Sequence, residues 1–280
     1  MIDSLRLICP HCRAGLGARS GLGDRCGACG WGVRRLYDVP ILREVDDESS
    51  LDLTGEAADL PPQHAREANV PFVDEALDSG RLVLELGAGI EGCEDPNLVK
   101  TDAFVYGEHL DFVVDAHALP FEENTFDYVF SLSVFEHLHS PWIAAREIFR
   151  VLKPGGRAYT LTAFIQHLHG WPEHYFNMTI FGARRIFEPF CDVEVAPNPN
   201  TSFEQLSVIL ADLNAMFLNA IAQEKQRRAR KELETVRRAS QTVIDKLHDQ
   251  SDRLTRLSEN RGWWERIAPA IEITARKPGP

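Results

Sequence analysis

Short apolar runs alternate with amphipathic stretches through the middle of this chain. Residues 81–86, 98–101, 111–114, 128–131, 157–161 and 191–195 are brief and rich in Val, Leu, Tyr and Phe. Runs of this length without strict polar alternation predict strands buried on both faces, as in a mostly parallel sheet. Residues 141–152 read differently. Ile143, Ile148, Val151 and Leu152 recur on one helical face, with Ser140 at the N-cap position and Pro141 in the first turn. Pro154-Gly155-Gly156 then stops the helix. A helical lead-in over 62–79 and a last strand over 270–275 complete the alternation. Together these elements predict a doubly wound α/β fold.

The apolar period changes between the last two strands. Residues 203–260 read as one or two long helices, apolar at first through Leu206, Ile209, Leu210, Leu213, Met216, Phe217 and Ile221. Farther on, Ala229, Leu233, Val236, Ser240, Val243, Leu247, Gln250, Leu254 and Leu257 fall at alternating spacings of four and three, an imperfect coiled-coil seam. A continuous helix over 222–260 would be roughly 58 Å long at about 1.5 Å per residue. The pattern divides the chain into a cysteine module (1–43), a linker and lead-in (44–80), an α/β core (81–201), an inserted helical arm (202–262) and the final strand of the core (263–280). The arm suits homo-oligomerisation or a partner helix.

Charge narrows the range of partners. The 280 residues carry a net charge of −12, and residues 51–200 hold 24 acidic against 9 basic side chains. An acidic core repels a phosphate backbone, which counts against nucleic acid. No run of about 18 apolar residues is present, so no membrane span is expected. Met1-Ile2-Asp3-Ser4 lacks the basic-then-apolar pattern of a secretory leader. The expected location is cytoplasmic.

Cys9-Pro10-His11-Cys12 and Cys26-Gly27-Ala28-Cys29 form two Cys-x-x-Cys knuckles. Cys9, Cys12, Cys26 and Cys29 can close a tetrahedral zinc site, and four thiolates leave no open coordination position. The zinc is therefore expected to be structural. A segment this small has little core to fold without a metal.

Gly87-Ala88-Gly89-Ile90-Glu91-Gly92 satisfies the G-x-G-x-x-G pattern of a nucleotide turn, which alone is weakly specific. Its surroundings decide the matter. Glu85-Leu86-Gly87-Ala88-Gly89 is followed in order by Asp102, Asp115-Ala116-His117-Ala118-Leu119-Pro120-Phe121, Phe126-Asp127-Tyr128-Val129, Glu136-His137-Leu138 and Arg150-Val151-Leu152-Lys153-Pro154-Gly155-Gly156. With this ordered set, residues 81–161 resemble a class I S-adenosylmethionine-dependent methyltransferase of the type 11-like kind. Tyr37-Asp38-Val39-Pro40-Ile41-Leu42, after the second knuckle, is similar to part of the zinc ribbon that activates several RNA and protein methyltransferases.

The resemblance implies a Rossmann-like, mostly parallel seven-stranded sheet with a small zinc ribbon and the inserted arm. It implies S-adenosyl-L-methionine as cofactor, beside the structural zinc. Glu85 would bind the amino-acid end of the cofactor, directly or through water. Gly87, Ala88 and Gly89 would give the backbone close approach. Asp102 would accept from the ribose hydroxyls, and Asp115 from the adenine amino group, with Ala116 and His117 beside the ring. Ser131 and Ser133 follow the fourth strand, at the expected mouth. The chain departs from the pattern in its spacing. Only 15 positions separate Gly87 from Asp102, and 13 separate Asp102 from Asp115, so both crossover helices must be short or lost.

No Asn-Pro-Pro-Tyr-like signature follows the fourth strand, which counts against methylation of an exocyclic base nitrogen. The segment 166–177 gathers His167, His169 and His174 with Glu173, Trp171, Tyr175 and Phe176. With His137 these histidines are the candidate catalytic bases. The same three histidines also leave open a packed lid or a second metal site. The leading expectation is O-methylation of a small-molecule or glycan-type acceptor. Two alternatives stay open: an RNA-modifying methyltransferase gripping RNA through the ribbon, and a non-catalytic scaffold acting through the arm.

Overall fold

The computed structural model describes residues 2–54, 70–90, 95–166, 168, 173–198 and 269–280, with scattered positions between 231 and 246. The N-terminal module opens with an antiparallel pair, β1 (Arg6–Ile8) and β2 (Gly15–Ala18). A hairpin follows, β3 (Arg34–Leu36) and β4 (Val39–Leu42), turned by Tyr37 and Asp38, both at positive φ.

The core begins with α1 (Pro71–Asp78), which presents Phe72, Val73, Ala76 and Leu77 to the sheet. Then come β5 (Val83–Leu86), β6 (Leu98–Asp102), β7 (Phe112–Val114) and β8 (Phe126–Leu132). The first and third of these are buried at every position, as a strand covered on both faces should be. Next are α2 (Pro141–Val151), β9 (Leu152–Ala163), α3 (Ile180–Ile186), β10 (Cys191–Pro197) and β11 (Ala270–Arg276). In α2 the buried side chains are Pro141, Ala144, Ala145, Ile148 and Val151, one helical stripe whose two alanines allow close approach to the sheet. Ser140 occupies the N-cap of α2 without a side-chain cap bond; its hydroxyl pairs with His139 Nδ1 at 3.0 Å instead.

These strands form one nine-stranded sheet in the order β10-β11-β9-β8-β5-β6-β7-β4-β3. The pairs from β4 through β9 are parallel, and β11 enters antiparallel between β9 and β10. The seven-stranded sheet expected from the sequence is present. It is lengthened to nine because the hairpin of β3 and β4 does not stay with the rest of the N-terminal module: β4 joins β7 in parallel, with Ile41 opposite Val113 and Leu42 opposite Val114.

The strand order reverses between β5 and β8, and ligands of such sheets sit at the carboxyl ends beside that switch. The crossovers on the β6–β7 side are short, as the spacing required. Among the described residues no helix joins β5 to β6, β6 to β7 or β7 to β8. The uncovered faces there are filled from elsewhere. Leu5, Leu7 and Val33 pack with Phe112, Val114, Phe121 and Phe126 on one face. On the other, Leu51 joins Val105, Leu110 and Val113, and Leu53 N–H donates to Val105 O at 2.9 Å. Most of the arm, and its coiled-coil seam, lies outside the described residues; the described positions between 231 and 246 are helical. Among the described residues no helix is long and apolar enough to cross a membrane.

Candidate active site

Two loops meet at the switch point. After β5 the chain turns at Gly87 (φ 79°) and Gly89 (φ 64°). A Cβ on Gly87 would lie 2.3 Å from Val134 Cγ2 in the loop after β8, so only glycine fits there. Gly87 and Ala88 N–H both donate to Thr101 O, at 2.9 and 3.0 Å, fixing the turn against the end of β6.

Three carboxylates line this end of the sheet. Glu85 is 4% exposed, and its Oε2 is buried with no hydrogen-bond partner among the described residues. Burial, reinforced by the nearby Asp102 charge, pushes its carboxyl up to about 8. Asp102 ends β6. Its Oδ2 accepts from Gly89 N–H at 3.0 Å and its Oδ1 from Phe104 N–H at 3.1 Å. Burial raises its pKa against the pull of those backbone donors and of the Arg43 charge. Asp115 follows β7 and accepts on Oδ1 from His117 N–H (2.8 Å) and from His117 Nδ1 (2.7 Å). Burial opposes its ionisation, but the His117 bonds and the Arg43 charge outweigh it, and its pKa falls below the ordinary value.

Hydrogen bonds to carbonyls and carboxylates fix the histidine tautomers. His117 carries its proton on Nδ1 toward Asp115, and its Nε2 accepts from Ser140 N–H at 3.3 Å, so both ring nitrogens are engaged. It stacks on His139 at 4.1 Å. His137 Nδ1 lies 2.7 Å from Glu173 O; a carbonyl only accepts, so in the neutral ring Nε2 is the basic nitrogen. His174 Nε2 is 3.2 Å from Phe176 O, which leaves its Nδ1 basic. The His137 and His174 rings are 5.8 Å apart. Tyr175 and Phe176 N–H both donate to Glu136 O, while the buried Glu136 Oε2 accepts from Thr162 at 2.9 Å, tying this segment to the sheet. Trp142 and Tyr175 stand 44% and 45% exposed beside Phe176 and His139.

The structure therefore brings Glu85, Gly87, Ala88, Gly89, Asp102, Asp115, Ala116 and His117 to one end of the sheet, and His137 and His174 to each other through the segment 173–176. Ser131 does not belong with them. It is fully buried, and its hydroxyl pairs with Thr160 at 3.2 Å inside the core, because it is still in the strand. Ser133, one turn of pleat later, is exposed at φ 54°. His167 and His169 lie outside the described residues. Sequence reasoning missed His109, whose Nε2 is 2.9 Å from Gly89 O, and two aromatic contacts on the 173–176 segment, His139 with Tyr175 and Trp142 with Phe176. The spacing of His109 from Gly89 gives no local signal, although its place in a crossover too short for a helix marks that loop as one lying on the glycine turn.

In the N-terminal module the Sγ atoms of Cys9, Cys12, Cys26 and Cys29 all lie within 4.8 Å of one another, with Cys9–Cys29 at 3.8 Å and Cys12–Cys26 at 3.7 Å. Tetrahedral bonds of about 2.3 Å place ligand sulfurs about 3.8 Å apart, so this set has the size of a zinc cage. Backbone N–H groups of Cys29 and Ala28 bring the Cys26 thiol down to about 7.

Comparison with known proteins agrees with this geometry. Residues 93–160 match the family model described as a methyltransferase domain. Sterol 24-C-methyltransferase of Schizosaccharomyces pombe is 45% identical over 60 residues, 21% of this chain and 14% of that protein. A ubiquinone/menaquinone biosynthesis C-methyltransferase, UbiE, of Roseobacter denitrificans is 44% identical over 64 residues, 22% of this chain and 25% of that one. The chain thus spans a quarter or less of the length of these curated relatives. Among solved structures, phosphoethanolamine N-methyltransferase 2 of Haemonchus contortus, in complex with phosphomonomethylethanolamine and S-adenosylhomocysteine, is similar at 17% identity and a TM-score of 0.40, over 71% of this chain and 49% of that chain. The segment that matches the methyltransferase-domain model carries Asp102, Asp115 and the loop after β8, and so takes in the middle of the α/β core.

Proposed function

We propose that the protein is an S-adenosylmethionine-dependent methyltransferase acting on an oxygen of a small-molecule or glycan-type acceptor. The observation that carries the cofactor half is Glu85: a buried carboxylate oxygen without a partner, beside a glycine turn too tight for any side chain. Such an oxygen is costly alone. A cofactor ammonium group is the donor its chemistry calls for. Gly87 and Gly89 admit the ligand, Asp102 takes the ribose, and Asp115 holds the adenine edge. When bound, S-adenosylmethionine supplies an electrophilic methyl group on a sulfonium.

The acceptor half rests on the mouth. His137 is anchored through Nδ1 to Glu173 O, and a positioned imidazole is suited to taking a hydroxyl proton. The exposed Trp142 and Tyr175 offer flat faces to a sugar or ring. The C-methyltransferase names of the two curated relatives favour a second reading, a carbon acceptor. A 13C-methyl label on the cofactor, read by NMR after incubation with a panel of phenols and glycosides, separates oxygen-bound from carbon-bound methyl.

The four-cysteine cage is read as a closed structural zinc site, supported by its sulfur spacing. Thiols kept as ligands suit a reducing, cytoplasmic location. The heptad seam of the arm supports self-association. Calorimetric titration with S-adenosylhomocysteine tests the cofactor reading. Glu85→Gln is expected to weaken binding at least about tenfold, as loss of a charged hydrogen bond does. Equal binding by wild type and variant overturns the role given to Glu85.

A further inference from the structure

The ribbon's hairpin reaches the cofactor end of the sheet. Because β4 runs parallel to β7, with Leu42 opposite Val114, the next residue, Arg43, leaves the sheet at the same end and level as Asp115. Its Nη1 donates to Ala103 O at 3.0 Å, the carbonyl directly after Asp102. Its Nε is buried and has no partner among the described residues. One guanidinium from the N-terminal module thus holds the loop that follows β6 and stands level with the residue that follows β7.

We infer that Arg43 is a positioning residue of the nucleoside-binding end, so that the N-terminal module completes the cofactor site rather than only capping the sheet. The inference rests on the cofactor reading proposed above. Three observations converge on it. The parallel register puts Arg43 beside Asp115. The bond to Ala103 O holds the loop carrying Asp102, whose oxygens in turn hold Gly89 and Phe104 N–H. The Arg43 charge also acts on both carboxylates and favours their ionised, accepting forms. Next along the chain, Glu44 Oε1 lies 2.6 Å from His11 Nδ1 in the first cysteine knuckle, so the segment bearing Arg43 is tied back to the cage. The short crossover over 103–111 makes this arrangement necessary. With no helix to brace the Asp102 loop, the brace comes from the neighbouring strand.

The test uses two ligands on the full chain. S-adenosylhomocysteine carries both the nucleoside and the amino-acid end; 5′-methylthioadenosine carries the nucleoside alone. Arg43→Gln is expected to weaken both by a similar factor of about ten, as loss of a charged hydrogen bond does. Glu85→Gln is expected to weaken only the first. A general loosening of the pocket would also erode the preference for S-adenosylhomocysteine over the nucleoside; the inference requires that preference to survive in Arg43→Gln. Arg43→Lys, which keeps the charge but loses the planar fork, should recover part of the affinity for both ligands, and it gives the same reading if Arg43→Gln does not fold. Wild-type affinity for both ligands in Arg43→Gln overturns the inference, as does a loss confined to S-adenosylhomocysteine. A wild-type chain that binds neither ligand instead overturns the cofactor reading on which Arg43 depends.

Discussion

The two halves of the sheet are closed by different means. On the β8–β9–β11 side, helices do the work. α1 lays Phe72 against Tyr159 at 5.4 Å and Tyr128 at 5.8 Å on one face. α2 and α3 bring Ala144, Ala145, Ile148, Ala183 and Phe187 to the other. On the β6–β7 side the connections are too short for helices, and the N-terminal module and the linker that follows it wrap the edge instead. β4 pairs with it, β1 covers one face, and residues 51–53 cover the other. A parallel sheet needs both faces covered. Cover for such a sheet need not come from the crossovers, and a module recruited as cover also places residues such as Arg43 at the ligand end.

The largest expected effect comes from removing the cage. Chelation, or Cys26→Ser, should unfold the knuckles and strip the β7 edge, lowering stability by several kcal/mol and weakening S-adenosylhomocysteine binding. Metal content and a thermal melt check this. A melt unchanged by metal loss would mean that the helix-free half stands without its cover.

Phe121→Ala comes next. Phe121 sits under β1, bridged to Leu7, with its ring 5.0 Å from Phe126 and 5.9 Å from Phe112. Phe187, equally buried, lies among Phe135 and Phe190 in the helix-covered half. Truncating either should cost about 3–5 kcal/mol, but only Phe121→Ala should speed hydrogen exchange across residues 5–42. Equal exchange in the two variants breaks the division into halves.

The smallest effect, per unit of pH, is a slope. With its pKa raised to about 8, the folded state keeps a proton on Glu85 that the unfolded chain releases near pH 4.3. The resulting stability is full below about pH 4.3 and is lost as pH rises toward 8, at no more than roughly 1.4 kcal/mol per pH unit. Asp102 contributes in the same direction and Asp115 in the opposite one. The difference between wild type and Glu85→Gln in urea melts across pH 5–9 isolates Glu85. The variant should have the flatter profile.

Much of this was legible in the sequence. The strands expected over 98–101 and 191–195 are present as Leu98–Asp102, a buried apolar run, and Cys191–Pro197, an edge strand whose only buried residue is Val195. The helix expected over 141–152 is present over Pro141–Val151, and Leu152, expected on its apolar face, opens β9 instead. The carboxylates were readable as acids at strand ends, and two of them bond the backbone two residues on, Asp102 to Phe104 and Asp115 to His117, a local habit of aspartate. Other features were not legible. Lys153-Pro154-Gly155-Gly156 reads as a turn, yet β9 starts at Leu152 and carries Gly155 at φ 80° within it. α3 is only seven residues with one buried side chain, Ala183, too little for a periodic pattern. The pairing of β4 with β7 and the reach of Arg43 are long-range contacts, and an apolar run does not name its partner strand. The burial of Ser131 depended on where its strand ended.

Calorimetric titration of the full chain with S-adenosylhomocysteine at pH 8, wild type beside Glu85→Gln, tests the central claim most directly. The account predicts one site per chain for the wild type and binding at least about tenfold weaker for the variant. No heat of binding from the wild type, or identical isotherms, would contradict it.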